Sequence, residues 1–269
     1  MIEVRTTGRN FDPGLEIAPA AEVLDFVYGK EVFHPAASEH RFLHDVRASL
    51  SDPEAAGPDV LYAIAMGVGR RADETELQRR NLLFGIVLYE AGAIGEGPVR
   101  SQGHVHAVSP HNGWRAPELI EVWLGHAVVL LQEWAAGDPG RCYAIEAAAG
   151  ECVVVPPGWA HAVINASRSQ RMMFGAFCDR EYGFEYGEVR ARNGLAWEPR
   201  FTADGRLQWT QNELYPAPGQ LTLRRARAYP ELGLTVGVPL YKQYLNDPAS
   251  VQWVSDPSAR QELWKTFVP

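Results

Sequence analysis

Lysine is scarce in this chain, with only Lys30, Lys242 and Lys265, so arginine supplies most of the positive charge. Arginine suits bidentate recognition of phosphate or carboxylate groups better than lysine does. A basic surface is also lacking. The formal net charge of -8 and an isoelectric point near 5.5 set up no cationic field against a phosphate backbone, which argues against nucleic acid as a partner. Cysteine is limited to Cys142, Cys152 and Cys178, an odd number widely spaced, two of them inside apolar runs. They read as buried reduced thiols and not as a disulfide framework. No hydrophobic run reaches membrane-spanning length, and the opening MIEVRTTGRNFDPG has no basic region followed by an apolar stretch. Together these absences predict a cytoplasmic protein without a membrane partner.

What is present is an ordinary globular composition, 46% hydrophobic and 22% charged over 269 residues, enough to bury a substantial core. In the first sixty residues Pro19 precedes AAEVLDFVYG and Ser38 precedes EHRFLHDVRASL, two segments that read as capped helices. After Pro58 the texture changes to short apolar or alternating runs punctuated by Gly and Pro: VLYAIAMGVG, LLFGIVLYE, ELIEVWLG, AVVLLQEW, CYAIEA, ECVVVP, HAVIN and RMMFGAF. Short strands at this spacing predict a β-barrel or sandwich. Asp204-Gly205 between strand-like flanks predicts a hairpin, and SDPSARQELWKTF predicts a terminal helix. With no repeat or linker, the expectation is one folding unit: a helical arm over residues 1–58 packing on the barrel, the barrel over 59–200, and a hairpin and helical extension over 201–269.

In GHVH, His104 and His106 are two apart, so on a strand both project from one face and can reach a single ion. Downstream, GECVVVPPGWAHAVIN carries Gly150, Pro156, Gly158, His161 and Asn165 at the spacing of the second motif of the cupin superfamily. That resemblance implies a mainly β fold, a cupin (double-stranded β-helix or jelly-roll) barrel, here with N-terminal helices and a C-terminal extension. The Pro-Pro-Gly turn reverses the chain and brings His161 to face the first pair. The first cupin motif has a glutamate seven residues before a glycine, the place of Glu118 relative to Gly125, whereas Glu121 stands four before it. Parity agrees: in ELIEVWLG, Glu118 shares a face with Ile120 and Val122, which leaves Glu121 as a surface or supporting residue. Three imidazoles and a carboxylate suit Fe(II), Mn(II), Ni(II), Zn(II) or Co(II). His34, His40, His44, His111 and His126 read as ordinary structural or surface histidines.

The likeness extends further. GHVH, the run ending LLQEW, VVPPGWAHAVIN, REYGFEYG and YPELGLTVGVPLYKQYLNDP resemble the cupin-type glucose-6-phosphate isomerases of archaea and some bacteria, over roughly residues 81 to 248. The resemblance implies a homodimeric, metal-dependent enzyme of glycolysis and gluconeogenesis that interconverts glucose 6-phosphate and fructose 6-phosphate. Its metal, Fe2+ first among the candidates, would sit on His104, His106, Glu118 and His161, with Glu118, bound loosely to the ion or exchanging with substrate, as catalytic base of an enediol route; a hydride shift steered by the metal is the alternative. Substrate contacts implied by the family fall on Ser101, in the place of a threonine, on Gly103, and on Tyr186. Departures are evident: Ile86 or Val87 stands where a second hydroxyl is expected, Ile120 where a tyrosine is, and Phe184 where a histidine is. The spacer AVSPHNGWRAP between His106 and Glu118 is longer than in relatives, and its His111, Trp114 and Arg115 are placed to line a pocket, Arg115 as a phosphate partner. Two other functions fit the same ligand set: an iron-dependent dioxygenase, and a sugar-binding cupin without turnover.

Overall fold

The computed structural model describes residues 11–216 and 219–269. In chain order its main strands are β1 (Glu39–Phe42), β2 (Val60–Met66), β3 (Leu82–Tyr89), β4 (Val105–His106), β5 (Glu118–Leu124), β6 (His126–Gln132), β7 (Cys142–Ala148), β8 (Cys152–Val155), β9 (Ala160–Asn165), β10 (Met172–Asp179), β11 (Phe184–Glu185), β12 (Trp197–Phe201), β13 (Leu207–Gln211) and β14 (Leu221–Arg225). Two sheets hold most of them. A six-stranded antiparallel sheet runs β8-β5-β10-β3-β2-β1, and a four-stranded sheet runs β9-β6-β7-β14, in which only the β7–β14 pair is parallel. The sheets face one another across a core of Ile120, Val122, Val129, Leu131, Ile145, Val153, Val163 and Phe174, contributed by both. This is the mainly β, two-sheet architecture that the motifs predict.

Several strands are buried on both faces, which is why they read as continuous apolar runs. The outer face of the six-stranded sheet, with Phe84, Ile86, Leu88, Leu119 and Trp123, is covered by C-terminal residues including Tyr229, Leu240, Tyr241, Tyr244, Trp253 and Trp264. The outer face of the four-stranded sheet packs beneath Val189, Leu195 and the hairpin residues Phe201 and Leu207. That hairpin turns at Asp204-Gly205, where Gly205 takes φ +79, a backbone state that a side chain would strain. The terminal helix lies at Gln261–Thr266. The segment over 201–269 does more than extend outward, because β14 adds a strand to the sheet.

Among the described residues, the first of the two expected N-terminal helices is absent and the second is reduced to a short remnant. Ile17–Pro19 and Phe26–Tyr28 form an antiparallel hairpin, with Pro19 opposite Phe26. Leu24 and Phe26 are buried while Val23 and Val27 are exposed, a period of two that a helical reading of the same apolar residues overlooks. Ser38, expected as a helix cap, instead donates to Asp25 Oδ1 at 2.6 Å, and the residues that follow it form β1 against β2. Only one helical turn, Leu43–Val46, and a short 3-10 segment, Arg47–Ser49, survive of the second helix. Cross-strand pairing outweighs the weak helix propensity of so short a segment.

Candidate metal centre

Two turns bring the histidines together. Gly103, at φ +85, lets the chain enter β4, and Gly158, at φ +78, follows Pro156-Pro157 and turns the chain into β9. His104 and His161 then exchange both backbone hydrogen bonds, each N–H donating to the other's carbonyl at 3.0 Å. Their rings lie 4.3 Å apart, with His106 at 5.2 Å from His104 and 5.0 Å from His161. Among the described residues, these three offer ring nitrogens that all lie within 4.8 Å of one another. Glu118, the first residue of β5 in the opposite sheet, places Oε2 3.1 Å from His161 Nε2 and 3.6 Å from His106 Nε2.

Outer contacts aim the rings. His106 Nδ1 is 2.7 Å from the Ala116 carbonyl, so this ring donates outward and turns Nε2 inward, while His161 Nδ1 stands 3.3 Å from the Trp159 carbonyl and its Nε2 faces Glu118. His104 Nε2 is buried and has no partner at all. Burial, reinforced by His161 and His106, drives the His104 pKa well below its ordinary value, and burial with His161 brings His106 down to about 4. Burial raises the Glu118 carboxyl, but the hydrogen bond from His161 and the two nearby imidazoles outweigh it, and its pKa falls below the usual value. At neutral pH the cluster therefore presents two uncharged imidazoles with free lone pairs beside a carboxylate. An orphaned buried nitrogen in that donor set fits a divalent cation.

Glu121 points the other way, as parity predicts, but it is not on the surface. It is 1% exposed beneath the C-terminal segment, accepting from Leu240 N–H at 2.9 Å and Trp123 Nε1–H at 3.0 Å. Burial pushes its pKa up to about 7.

The remaining expected residues fall around the cluster in different ways. Phe184 covers the imidazoles, its ring 4.5 Å from His104 and 5.8 Å from His106, and Tyr186 lies 5.9 Å from His104. The Ser101 hydroxyl is buried and accepts from Val163 N–H at 3.0 Å, so it is held inside the fold. Arg115 is occupied as well: Nη1 donates to the His106 carbonyl and to Glu185 Oε2, both at 2.7 Å. The long spacer is a small hairpin of its own, pinned where Asn112 Nδ2 donates to Asp179 Oδ2 and to the Ser255 carbonyl. His111 is exposed, and Trp114 packs against the outer core.

Reading the sequence missed Tyr62 and Tyr89. A second hydroxyl was sought at Ile86 or Val87, yet Tyr89 stands two beyond Val87 on the same face of β3 and opposite Tyr62 of β2. Strand parity was the available signal.

Comparison with known proteins gives three results. A family described as glucose-6-phosphate isomerase matches residues 39–217, more than half of the chain. A curated protein of Rhizobium meliloti (strain 1021) named "Putative glucose-6-phosphate isomerase 1" is 26% identical over 132 residues, covering 49% of this chain and 56% of that relative. The chain thus matches about half the length of this curated relative. Among solved structures, oxalate oxidase aligns with a TM-score of 0.34 at 19% identity over 46% of this chain and 53% of its own. Hazelnut vicilin (Corylus avellana) aligns at 0.38 with 11% identity over 58% and 36%. Structural likeness at this level says nothing about chemistry.

Proposed function

This chain belongs to the glucose-6-phosphate isomerase family, and from that premise we propose that it is a metal-dependent aldose–ketose isomerase interconverting glucose 6-phosphate and fructose 6-phosphate. The observation that carries the reading is the convergence of three imidazoles whose ring nitrogens lie within 4.8 Å of one another, with Glu118 beside His161 and His106 and the buried Nε2 of His104 left without a partner. His104, His106, Glu118 and His161 would hold one divalent ion, with Fe2+ proposed first and Mn2+, Ni2+, Zn2+ or Co2+ as substitutes. When bound there, the ion would polarise the oxygens on C1 and C2 of the open-chain sugar.

The chain's own groups supply the rest. Isomerisation through an enediol needs a carboxylate that takes a proton from one carbon and returns it to its neighbour, and Glu118 is proposed for that role. His161 fixes the carboxylate through Oε2, while Oε1 faces the Cys178 thiol at 3.8 Å. Phe184 shields the imidazoles from water, and Tyr186 borders the same space. Ser101 and Gly103 are proposed to position substrate from the turn before His104. Arg115, tied to His106 and Glu185, is proposed to hold the neighbouring hairpin beside the substrate. A cytoplasmic homodimer is proposed as the working form; the three cysteines are unpaired, in keeping with a reducing compartment.

The test is direct. Purified full-length protein supplied with Fe(II) or Mn(II) should interconvert the two hexose phosphates, EDTA should abolish the activity, and fresh metal should restore it. Absence of interconversion with all five metals would reject the reading, and oxygen uptake in its place would favour dioxygenase chemistry.

A further inference from the structure

Beside the imidazoles lies a row of polar side chains that the ligand set does not use. Arg41 of β1 stands opposite Tyr62 of β2, and Tyr62 stands opposite Tyr89 of β3. Directly opposed residues on neighbouring strands project from the same face of a sheet, so the three form a ladder across the wall of the core. That face is the inner one: Tyr62 and Tyr89 belong to the core between the two sheets, with their rings 4.8 Å apart and stacked. At the far end the Tyr89 side chain lies beside Ser101. At the near end Arg41 lies beside Tyr186, whose ring is 5.9 Å from His104. The Tyr186 side chain therefore stands between Arg41 and the imidazoles.

The chemistry of the row is that of an anion site. It offers a guanidinium with several N–H donors and three phenol hydroxyls able to donate, a set matched to a tetrahedral oxyanion. Nearby arginines are engaged elsewhere: Arg100 donates to the carbonyls of Ser49 and Ser101, Arg190 to Gln102, and Arg115 to His106 and Glu185. Arg41 is held by Glu39 at 2.6 Å, but the Glu39 side chain is 59% exposed against 21% for Arg41. A carboxylate so well hydrated is readily displaced by a dianion.

We propose that Arg41, with the hydroxyls of Tyr62 and Tyr186, binds the phosphate of the substrate and makes the site select phosphorylated over neutral sugars. The identity of that substrate rests on the isomerase reading. The anion site itself does not.

Inorganic phosphate titrated calorimetrically into the full chain tests the assignment. The wild type should bind it, R41Q should weaken binding on the order of tenfold to a hundredfold, R41K should retain part, and E39Q should tighten it by freeing the guanidinium. No phosphate binding by the wild type, or equal binding by a folded R41Q, overturns the proposal. If R41Q does not fold, unchanged binding by both R41K and E39Q does so. Turnover separates the two claims. If the enzyme isomerises hexose phosphates and R41Q raises KM with little change in kcat, both stand. Arg41-dependent phosphate binding without isomerisation removes the isomerase reading alone, whereas isomerisation with an unchanged KM in R41Q removes the anion site alone.

Discussion

His161 Nε2 lies 3.1 Å from Glu118 Oε2 across 43 residues of chain. The two groups come from opposite sheets, His161 from β9 and Glu118 from the start of β5, so their contact is made only when the sheets close on their shared core. Buried together, they face two further imidazoles, one of which has a ring nitrogen with no partner. That arrangement is costly without a cation and favourable with one.

Metal should therefore stabilise the fold. Adding Zn(II) or Mn(II) to EDTA-treated protein is expected to raise its melting temperature in proportion to the logarithm of free metal. H104F should remove that rise yet leave metal-free stability within about 1 kcal/mol of wild type, because the Nε2 it deletes has no partner. Calorimetric melts with and without metal would check both, and a metal-dependent rise persisting in H104F would refute His104 as a ligand.

Glu118→Gln keeps the shape and removes the charge. Metal affinity is expected to fall at least tenfold, about the loss seen when even a supporting residue of a metal site is changed. Isomerase activity should fall by about 100-fold or more, the usual contribution of a general base. Metal analysis and rate assays on one preparation suffice. If neither quantity changes, the ligand and base assignments are both wrong.

Glu121 predicts a pH dependence of stability. Its folded pKa of about 7 stands above the ordinary 4.5, so the folded state retains a proton that the unfolded chain releases. The associated stability is fully present below about pH 4.5 and is lost as pH rises through about 7, a change of roughly 3 kcal/mol. Urea unfolding of wild type and E121Q across this range should show their stability difference drifting in favour of E121Q as pH rises. A pH-independent difference would contradict the burial of an ionisable group there.

Asn112 is the clasp of the spacer hairpin. Asn112→Ala would leave Asp179 Oδ2 and the Ser255 carbonyl without their shared donor, at a cost of about 1–3 kcal/mol. Faster proteolytic cleavage within residues 107–117 should accompany the loss. Wild-type cleavage rates and an unchanged melting temperature would show that the hairpin is held by other contacts.

Much of this molecule is a local matter and so was legible in the sequence. The strands after Pro58 announce themselves through short apolar runs and Gly or Pro breaks, Asp204-Gly205 marks its hairpin, and the GHVH and PPGWAH segments mark the histidines. Parity, a property of adjacent residues, separates Glu118 from Glu121 without any knowledge of partners. Register and coverage are not local. Residues Glu39–Phe42 pair as a strand because β2 is there to receive them. Glu121 is buried because residues more than a hundred positions later fold over it, as the 119-residue separation of its bond to Leu240 shows. The row of Arg41, Tyr62 and Tyr89 exists only through the alignment of three strands, and no spacing within any one of them encodes it. The sequence by itself determined which side chains could bind an ion and which face of each strand they occupy, since these follow from chain geometry. The tertiary structure decided which of them meet, because contact across sheets is set by register and by the burial that closes them together.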